Sequence, residues 1–385
     1  MSEYKNYLVT LTPTGNFFFG GRKRSEAEKE KDYYFKSRYF PQQTAVLGML
    51  RQELLMQNQL FPLNNSNREE AARLIGETSF NPDVAKQDFG VIHEISPIII
   101  YKAGCFYHPV PKDTGLSLKQ EEKGRLYFNL SKAASGDFIY RLEDYNPKSG
   151  TPDYLIASDG SGAKLPYDKV FIDNEQVGIK KGESGQTEEG AFYKQVFLRM
   201  TKGFSFSFFL RLKTNHEEKQ ILLNDNIVFM GGERSAFKME LSAFKMEFED
   251  IGDGSLKELF KKKLSMPRLT EAKIVLYSDA YVENTILNHC RFAVTESVFF
   301  RNIRTHVKKT GKFNNLTDGD KEDGKTPFLG KRYNLLKRGS VLYFKENTAD
   351  FEALKKYLDK PEFQKIGYNY YEIYPFEKGK KEEKE

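Results

Sequence analysis

Two short clusters in this sequence pair bare backbone with positive charge. The first is Phe17-Phe18-Phe19-Gly20-Gly21-Arg22-Lys23-Arg24, where two glycines expose main-chain N–H groups just before a basic triplet. A charged stretch, residues 25–31, then leads to Tyr33-Tyr34-Phe35 and Arg38. Aromatics and cations around a glycine turn suit a single-stranded nucleic acid, with rings for its bases and charge for its phosphates. An ordinary loop with core aromatics has the same composition, and these residues alone do not separate the two. The second cluster is Gly48 and Arg51, three residues apart and so on one face of a helix. Glycine in a helix interior costs about 1 kcal/mol relative to alanine. Bare backbone beside a guanidinium suits a flat anionic partner such as an RNA backbone. The plainer alternative is that Gly48 admits a neighbouring element and Arg51 is solvated, and it weighs more on these residues alone.

Other chemistry is poorly represented. Gly319 to Thr326 fits the phosphate-loop pattern G-x-x-x-x-G-K-T, ending in Gly324-Lys325-Thr326. That motif needs a buried strand before it and a helix after it. Here residues 308–317 are polar, Pro327 and Gly330 oppose a helix, and Asp318, Asp320, Glu322 and Asp323 would repel a triphosphate. We read it as a chance match. His93, His108, His216, His289 and His306 are scattered without metal-ligand spacing. No nucleophile elbow occurs, and no pair of carboxylates stands out as acid and base. Neither a cofactor nor a metal is implied.

The elements that must carry the clusters follow from periodicity. Residues 40–58 form the first long helix, with Pro41 at its start and Val46, Leu47, Met49, Leu50, Leu54, Leu55 and Met56 on a broad apolar arc. Residues 4–12 are rich in aromatic and β-branched side chains and predict a strand. Residues 92–101 predict a strand interrupted at Pro97, 106–113 a turn-rich connector, and 144–165 a long surface loop. The stretches 170–172, 177–181 and 191–200 flank a glycine-punctuated segment and predict an extended hairpin with Lys180 and Lys181 at its base. Apolar residues of one parity from Phe204 to Leu212 predict a strand, and we place a domain boundary just before it. Residues 227–230 run into Gly231-Gly232-Glu233-Arg234.

A tandem duplication follows, Ser-Ala-Phe-Lys-Met-Glu-Leu at 235–241 and Ser-Ala-Phe-Lys-Met-Glu-Phe at 242–248. Each copy alternates with period two, and the odd copy length predicts a bulge or turn near Leu241 and Ser242. Later strands are predicted at 273–282, 291–300, 340–344 and 368–374, with a helix at 350–360. The Lys/Glu-rich tail, 377–385, predicts disorder.

A chain of 385 residues is long enough for two domains. With 30% charged residues and a mean hydropathy of −0.62, long polar loops are expected. The net charge of +6 permits nucleic-acid binding without arguing for it. Two distant cysteines, Cys105 and Cys290, make neither a disulfide framework nor a zinc site. With no signal-peptide pattern and no run approaching a membrane span, a cytoplasmic protein that touches no membrane is expected.

Five pieces taken in order carry a resemblance. They are Gly20-Gly21-Arg22; Phe40-Pro41 with Leu47-Gly48-Met49-Leu50-Arg51; Val177-Gly178-Ile179 with Gly190-Ala191-Phe192-Tyr193; Gly231-Gly232-Glu233-Arg234; and residues 338–344 from Arg338 to Phe344. The chain resembles the repeat-associated mysterious proteins of CRISPR systems, and within them the family of the third Cmr subunit of type III-B effector complexes. The duplicated heptapeptide, the long loop around Asp318 and the lack of tryptophan depart from that pattern.

The resemblance implies an α+β fold of two ferredoxin-like β-α-β-β-α-β modules with long loop and hairpin insertions. We place these at residues 1–203 and 204–376, before the tail. It implies a noncatalytic subunit that grips the repeat-derived 5′ tag of the guide RNA (crRNA). The implied partners are the large polymerase/cyclase-like Cmr subunit and the neighbouring backbone subunits, with target RNA met only indirectly. On that reading Gly20, Gly21, Gly48, Gly231 and Gly232 let backbone approach the RNA, and Arg22, Arg38, Arg51 and Arg234 supply charge. The hairpin with Lys180, Lys181 and Phe192 would lie over the RNA where tag meets guide. The alternative within the same superfamily is a metal-independent repeat-RNA endonuclease. That enzyme needs a histidine base and a glycine-rich C-terminal segment, whereas residues 367–371 are poor in glycine and His289 and His306 lack an evident partner in the sequence.

Overall fold

The computed structural model describes residues 4–20, 23–25, 33–113, 128–132, 138–142, 154–159, 161–181, 187–216, 219–243, 272–303, 329–344 and 348–375. The architecture is mixed α+β, with sheets predominating and few helices. The chain divides into two compact units. One comprises Met1–Phe80, Gln87–Tyr107 and Leu165–Glu247; the other comprises Asn81–Lys86, His108–Lys164 and Phe248–Glu385.

In the first unit Tyr4–Pro13 is the central strand. It pairs antiparallel with Ser205–Lys213 on one side and Ser235–Ala243 on the other. Ile92–Ile95 and Ile99–Lys102 extend the sheet beyond Ser205–Lys213, and Asn226–Met230 forms the opposite edge. Alternation sorts the side chains. Val9, Leu11, Phe206, Phe208, Leu210, Phe237 and Met239 are fully buried. Each such burial contributes roughly 1.5–3 kcal/mol. The helix Gln43–Gln57 buries Val46, Leu47, Leu50 and Leu54.

Glutamines and a glutamate fix that helix across the sheet. At its start Gln43 Nε2 donates to Ser96 O at 3.0 Å and Gln43 Oε1 accepts from Ile98 N–H at 3.2 Å, bridging the break at Pro97. At its end Gln57 Oε1 accepts from Asn224 N–H at 2.7 Å, and Glu53 accepts from Asn226 Nδ2 at 2.8 Å, beside the edge strand. Phe17 and Phe19 complete the core, packing on Phe206 at 5.5 Å each and on Phe237 at 5.9 and 5.8 Å.

The second unit has a four-stranded antiparallel sheet in the order Cys290–Val294, Val341–Phe344, Ala272–Leu276, Tyr371–Pro375. The helix Thr348–Leu358 covers one face, setting Phe351, Leu354 and Leu358 against Ile274, Leu276, Leu342 and Phe344. The hairpin Ser297–Ile303 with Leu329–Leu336 lies between the second and third of these strands in chain order.

Several expectations are corrected. A boundary before Phe204 would cut a sheet, because Ser205–Lys213 pairs with Tyr4–Pro13 from Tyr4 to Leu11. The expected connector contains a strand, Cys105–Pro109, turned back on Ile99–Lys102. Within the expected surface loop lie the strands Tyr154–Ala157 and Lys164–Pro166. Pairing runs through Leu241 and Ser242 with no register shift, so there is no bulge at that point. The repeat tolerates this because burial fades there, with Ala243 already exposed. The first helix starts at Gln43, leaving Pro41 ahead of it. The helix Arg68–Ile75 has no counterpart among the expected elements. The tail, the phosphate-loop look-alike and most of the second heptapeptide lie outside the described residues.

Candidate nucleic-acid interface

The glycine clusters at 20 and 231, far apart in sequence, meet through Phe18. Gly232 N–H donates to Phe18 O at 3.1 Å, and Phe18 N–H donates to Ser235 Oγ at 3.1 Å. Gly231 has φ +91°, and a methyl group there would collide with the Phe18 carbonyl. Its missing side chain is therefore required by the protein's own packing. Gly232 differs: an added Cβ would make only an ordinary 3.6 Å contact with the Phe18 ring. Arg234 closes the turn at φ +48°, with its N–H donating to Gly231 O at 3.3 Å. A left-handed backbone costs a non-glycine residue roughly 1–2 kcal/mol, so the turn holds Arg234 in place against its preference. The Arg234 side chain is exposed.

Gly20 has φ +65° with no described atom within 4 Å of where a Cβ would lie, and its carbonyl accepts the Arg38 N–H at 3.3 Å. Phe19 N–H donates to Ser37 Oγ at 3.0 Å, and Ser37 N–H donates to Val196 O at 2.9 Å. Gly20 with Arg38, and the turn from Gly231 to Ser235, are thus both tied to the short segment 18–20, by backbone hydrogen bonds and by the hydroxyls of Ser37 and Ser235. Gly21 and Arg22 lie outside the described residues.

The predicted hairpin is present as Phe171–Lys181 paired with Thr187–Met200. Tyr33–Lys36 adds in parallel beside Thr187–Met200, and Lys23–Ser25 adds outside that. The ladder runs as far as Lys181 opposite Thr187, so Lys180 and Lys181 stand near the tip of the hairpin, not at its base. Phe192 lies opposite Ile179 in register. Lower on the hairpin Lys194 pairs with Glu175 and Lys36 with Asp173, both at 2.6 Å. Gln195 Nε2 donates to Glu233 at 3.4 Å, joining hairpin and turn.

At four places the structure bears on what the sequence left open or expected otherwise. Phe17, Phe18 and Phe19 are buried and form core, not a platform for bases. Arg51 turns away from solvent: its guanidinium donates to Thr78 O at 3.0 Å and to Asp88 O at 3.1 Å, with its carbon 5.9 Å from the Phe89 ring centroid. Burial pushes its pKa down to about 10, against the opposing pull of Asp88. Arg51 therefore staples the first helix to the loop carrying Asp88. Gly48 is exposed, and among the described residues nothing lies within 4 Å of a Cβ placed there, so it admits no described element of the chain. His289 does have a partner: its Nδ1 lies 2.7 Å from Asp350 Oδ1.

Sequence reasoning missed Phe229 and Ile227, exposed on the edge strand. An unbroken apolar run, Ile227 to Met230, reads as fully buried, yet at an edge only alternate residues face the core. Among the described residues, no group of three or more His, Cys, Asp or Glu is placed to hold a metal ion. No described helix is long and apolar enough to cross a membrane.

Residues 9–373 match the family described as CRISPR-associated protein (Cas_Cmr3). No curated relative matches the sequence. Among solved structures, a chain of the type III-B Cmr-beta complex bound to cognate target RNA is similar at 14% identity. That match covers 96% of this chain and 99% of that one, with a TM-score of 0.46. A chain of the Csm3-Csm4 subcomplex of the type III-A interference complex is similar at 12% identity over 88% of this chain and 92% of that one, with a TM-score of 0.33. TM-scores this low leave the family match as the informative finding.

Proposed function

We propose, since the chain belongs to the CRISPR-associated Cas_Cmr3 family, that it is a noncatalytic subunit of a type III-B effector complex that holds the 5′ tag of the guide RNA. One observation carries the tag-binding assignment. The turn from Gly231 to Ser235, pinned by Phe18, holds an exposed Arg234, and Gly20 with Arg38 is tied to the same short segment, residues 18–20. A guanidinium preset on a fixed turn suits phosphates and unpaired bases, at little ordering cost on binding. The hairpin with Lys180, Lys181 and Phe192 extends the surface. Arg51 acts structurally in this reading, and Gly48 marks an exposed helix face for a neighbouring subunit or RNA.

Sheet order supports two ferredoxin-like modules. In each unit the core strands, numbered along the chain, lie second, third, first, fourth. In the first unit residues 214–234 occupy the position of the second helix. The large polymerase/cyclase-like subunit and the neighbouring backbone subunits complete the set of partners, and target RNA is met through the guide.

The test is equilibrium binding of tagged and untagged guide RNA by wild type and R234E at several salt concentrations. Tenfold or greater weakening is expected in R234E, with a salt slope shallower by about 0.7 for each phosphate no longer neutralised. Unchanged affinity overturns the assignment. The His289–Asp350 pair favours one competing reading, repeat-RNA cleavage with an oriented imidazole base. Site-specific cleavage of repeat RNA in EDTA that disappears in H289A would establish it.

A further inference from the structure

The edge strand Asn226–Met230 carries an exposed ring beside the turn that holds Arg234. Phe229 is 46% exposed. Its partner in register is Ala236, whose methyl group is too small to cover a ring. The Arg234 guanidinium carbon lies 5.7 Å from the Phe229 ring centroid, within cation–π range. The left-handed backbone of Arg234 and the hydrogen bonds of Phe18 with Gly232 and Ser235 set this arrangement before any ligand arrives. Glu233, the carboxylate within the turn, is drawn toward Gln195. Ile227, 45% exposed, continues the apolar strip along the strand.

We propose that Phe229 and Arg234 form a stacking platform for one unpaired RNA base. The base lies on the ring or on the guanidinium plane, and the guanidinium donates to a neighbouring phosphate or base edge. The proposal rests on the RNA-binding reading above and names the residue that would read a base within it. An exposed edge strand also suits a protein that adds a strand to the sheet. The guanidinium over the ring decides for RNA, because a strand-adding partner would bury that charge without an anion to offset its desolvation.

The test measures affinities of the full-length protein for tag-containing RNA, comparing wild type, F229A, F229W and R234E. The same RNA carrying single abasic positions along the tag is measured in parallel. F229A is expected to weaken binding roughly 5- to 150-fold and F229W to retain it. At one abasic position wild type and F229A should bind alike. Because Phe229 is half exposed on an edge, F229A should leave the unfolding transition in place. If F229A binds every RNA as wild type does while R234E does not, the platform is wrong and the RNA reading stands. If R234E also binds normally, both fall. Equal weakening across all abasic RNAs overturns single-base stacking, as does loss of a co-purifying protein from F229A with RNA affinity intact.

Discussion

The two units order their core strands alike and finish them differently. In the second unit a helix, Thr348–Leu358, follows the third strand and seals one face of the sheet. Its other face is closed by the unit's own chain: Asp113 hydrogen-bonds both Lys273 and Tyr343, and Lys112 N–H donates to Gly339 O at 2.8 Å. Burial, with Asp113 adding to it, raises the Tyr343 pKa well above the usual tyrosine value. In the first unit Phe17 and Phe19 pack on the third and fourth core strands. The chain between those strands is free to form an edge strand and a turn, and these expose Phe229 and Arg234. Under the proposed function the closed sheet of the second unit serves packing, and the first unit's edge strand and turn, standing between its third and fourth core strands in chain order, would be the rim that binds.

The largest expected effect tests the closed face. D113A strands a buried Lys273 ammonium and should destabilise the second unit by about 3–5 kcal/mol, measured by chemical denaturation. A loss under about 1 kcal/mol would show that the face is open to water. Next comes the turn in the first unit. G231A should cost about 1–3 kcal/mol through its clash with the Phe18 carbonyl and its positive φ. G232A should stay within about 0.5 kcal/mol while weakening tag RNA binding. Equal stability losses in the two variants would break the distinction between a glycine needed by the fold and one needed by the ligand.

Smaller still, G48A should stabilise the protein by up to about 1 kcal/mol, since none of the described residues approaches that position. If assembly of the complex also weakens, a partner does approach it. The smallest effect concerns Glu296. Desolvation pushes its carboxyl up, but Lys337 and Lys112 outweigh it and hold the pKa below the usual value. The group therefore contributes stability above the unfolded carboxylate pKa near about 4.3, and loses it as pH falls through the depressed folded value. At half exposure this amounts to under about 1 kcal/mol. E296Q should flatten that part of the stability profile, and an unchanged profile would remove the assignment.

Local pattern revealed what local physics controls. The hairpin of residues 171–200, the first helix and the break at Pro97 were legible because turn residues and periodicity act within a few positions. The meeting of Gly232 with Phe18 was not legible, since no spacing rule connects residues so far apart. Three-residue spacing placed Gly48 and Arg51 on one helix but said nothing of where a long guanidinium reaches, and Arg51 reached the carbonyls of Thr78 and Asp88. Consecutive phenylalanines looked alike in the sequence. Alternation sent Phe17 and Phe19 to Phe206 and turned Phe18 toward Phe197. The boundary before Phe204 failed for a related reason: strands that join a sheet late in the chain belong with partners made early.

Mapping photo-crosslinks from the leading nucleotides of the guide RNA in the assembled complex tests the central claim most directly. Crosslinks within residues 18–38 and 227–235 are predicted. Crosslinks confined to the second unit, with none at the turn bearing Arg234, would contradict it.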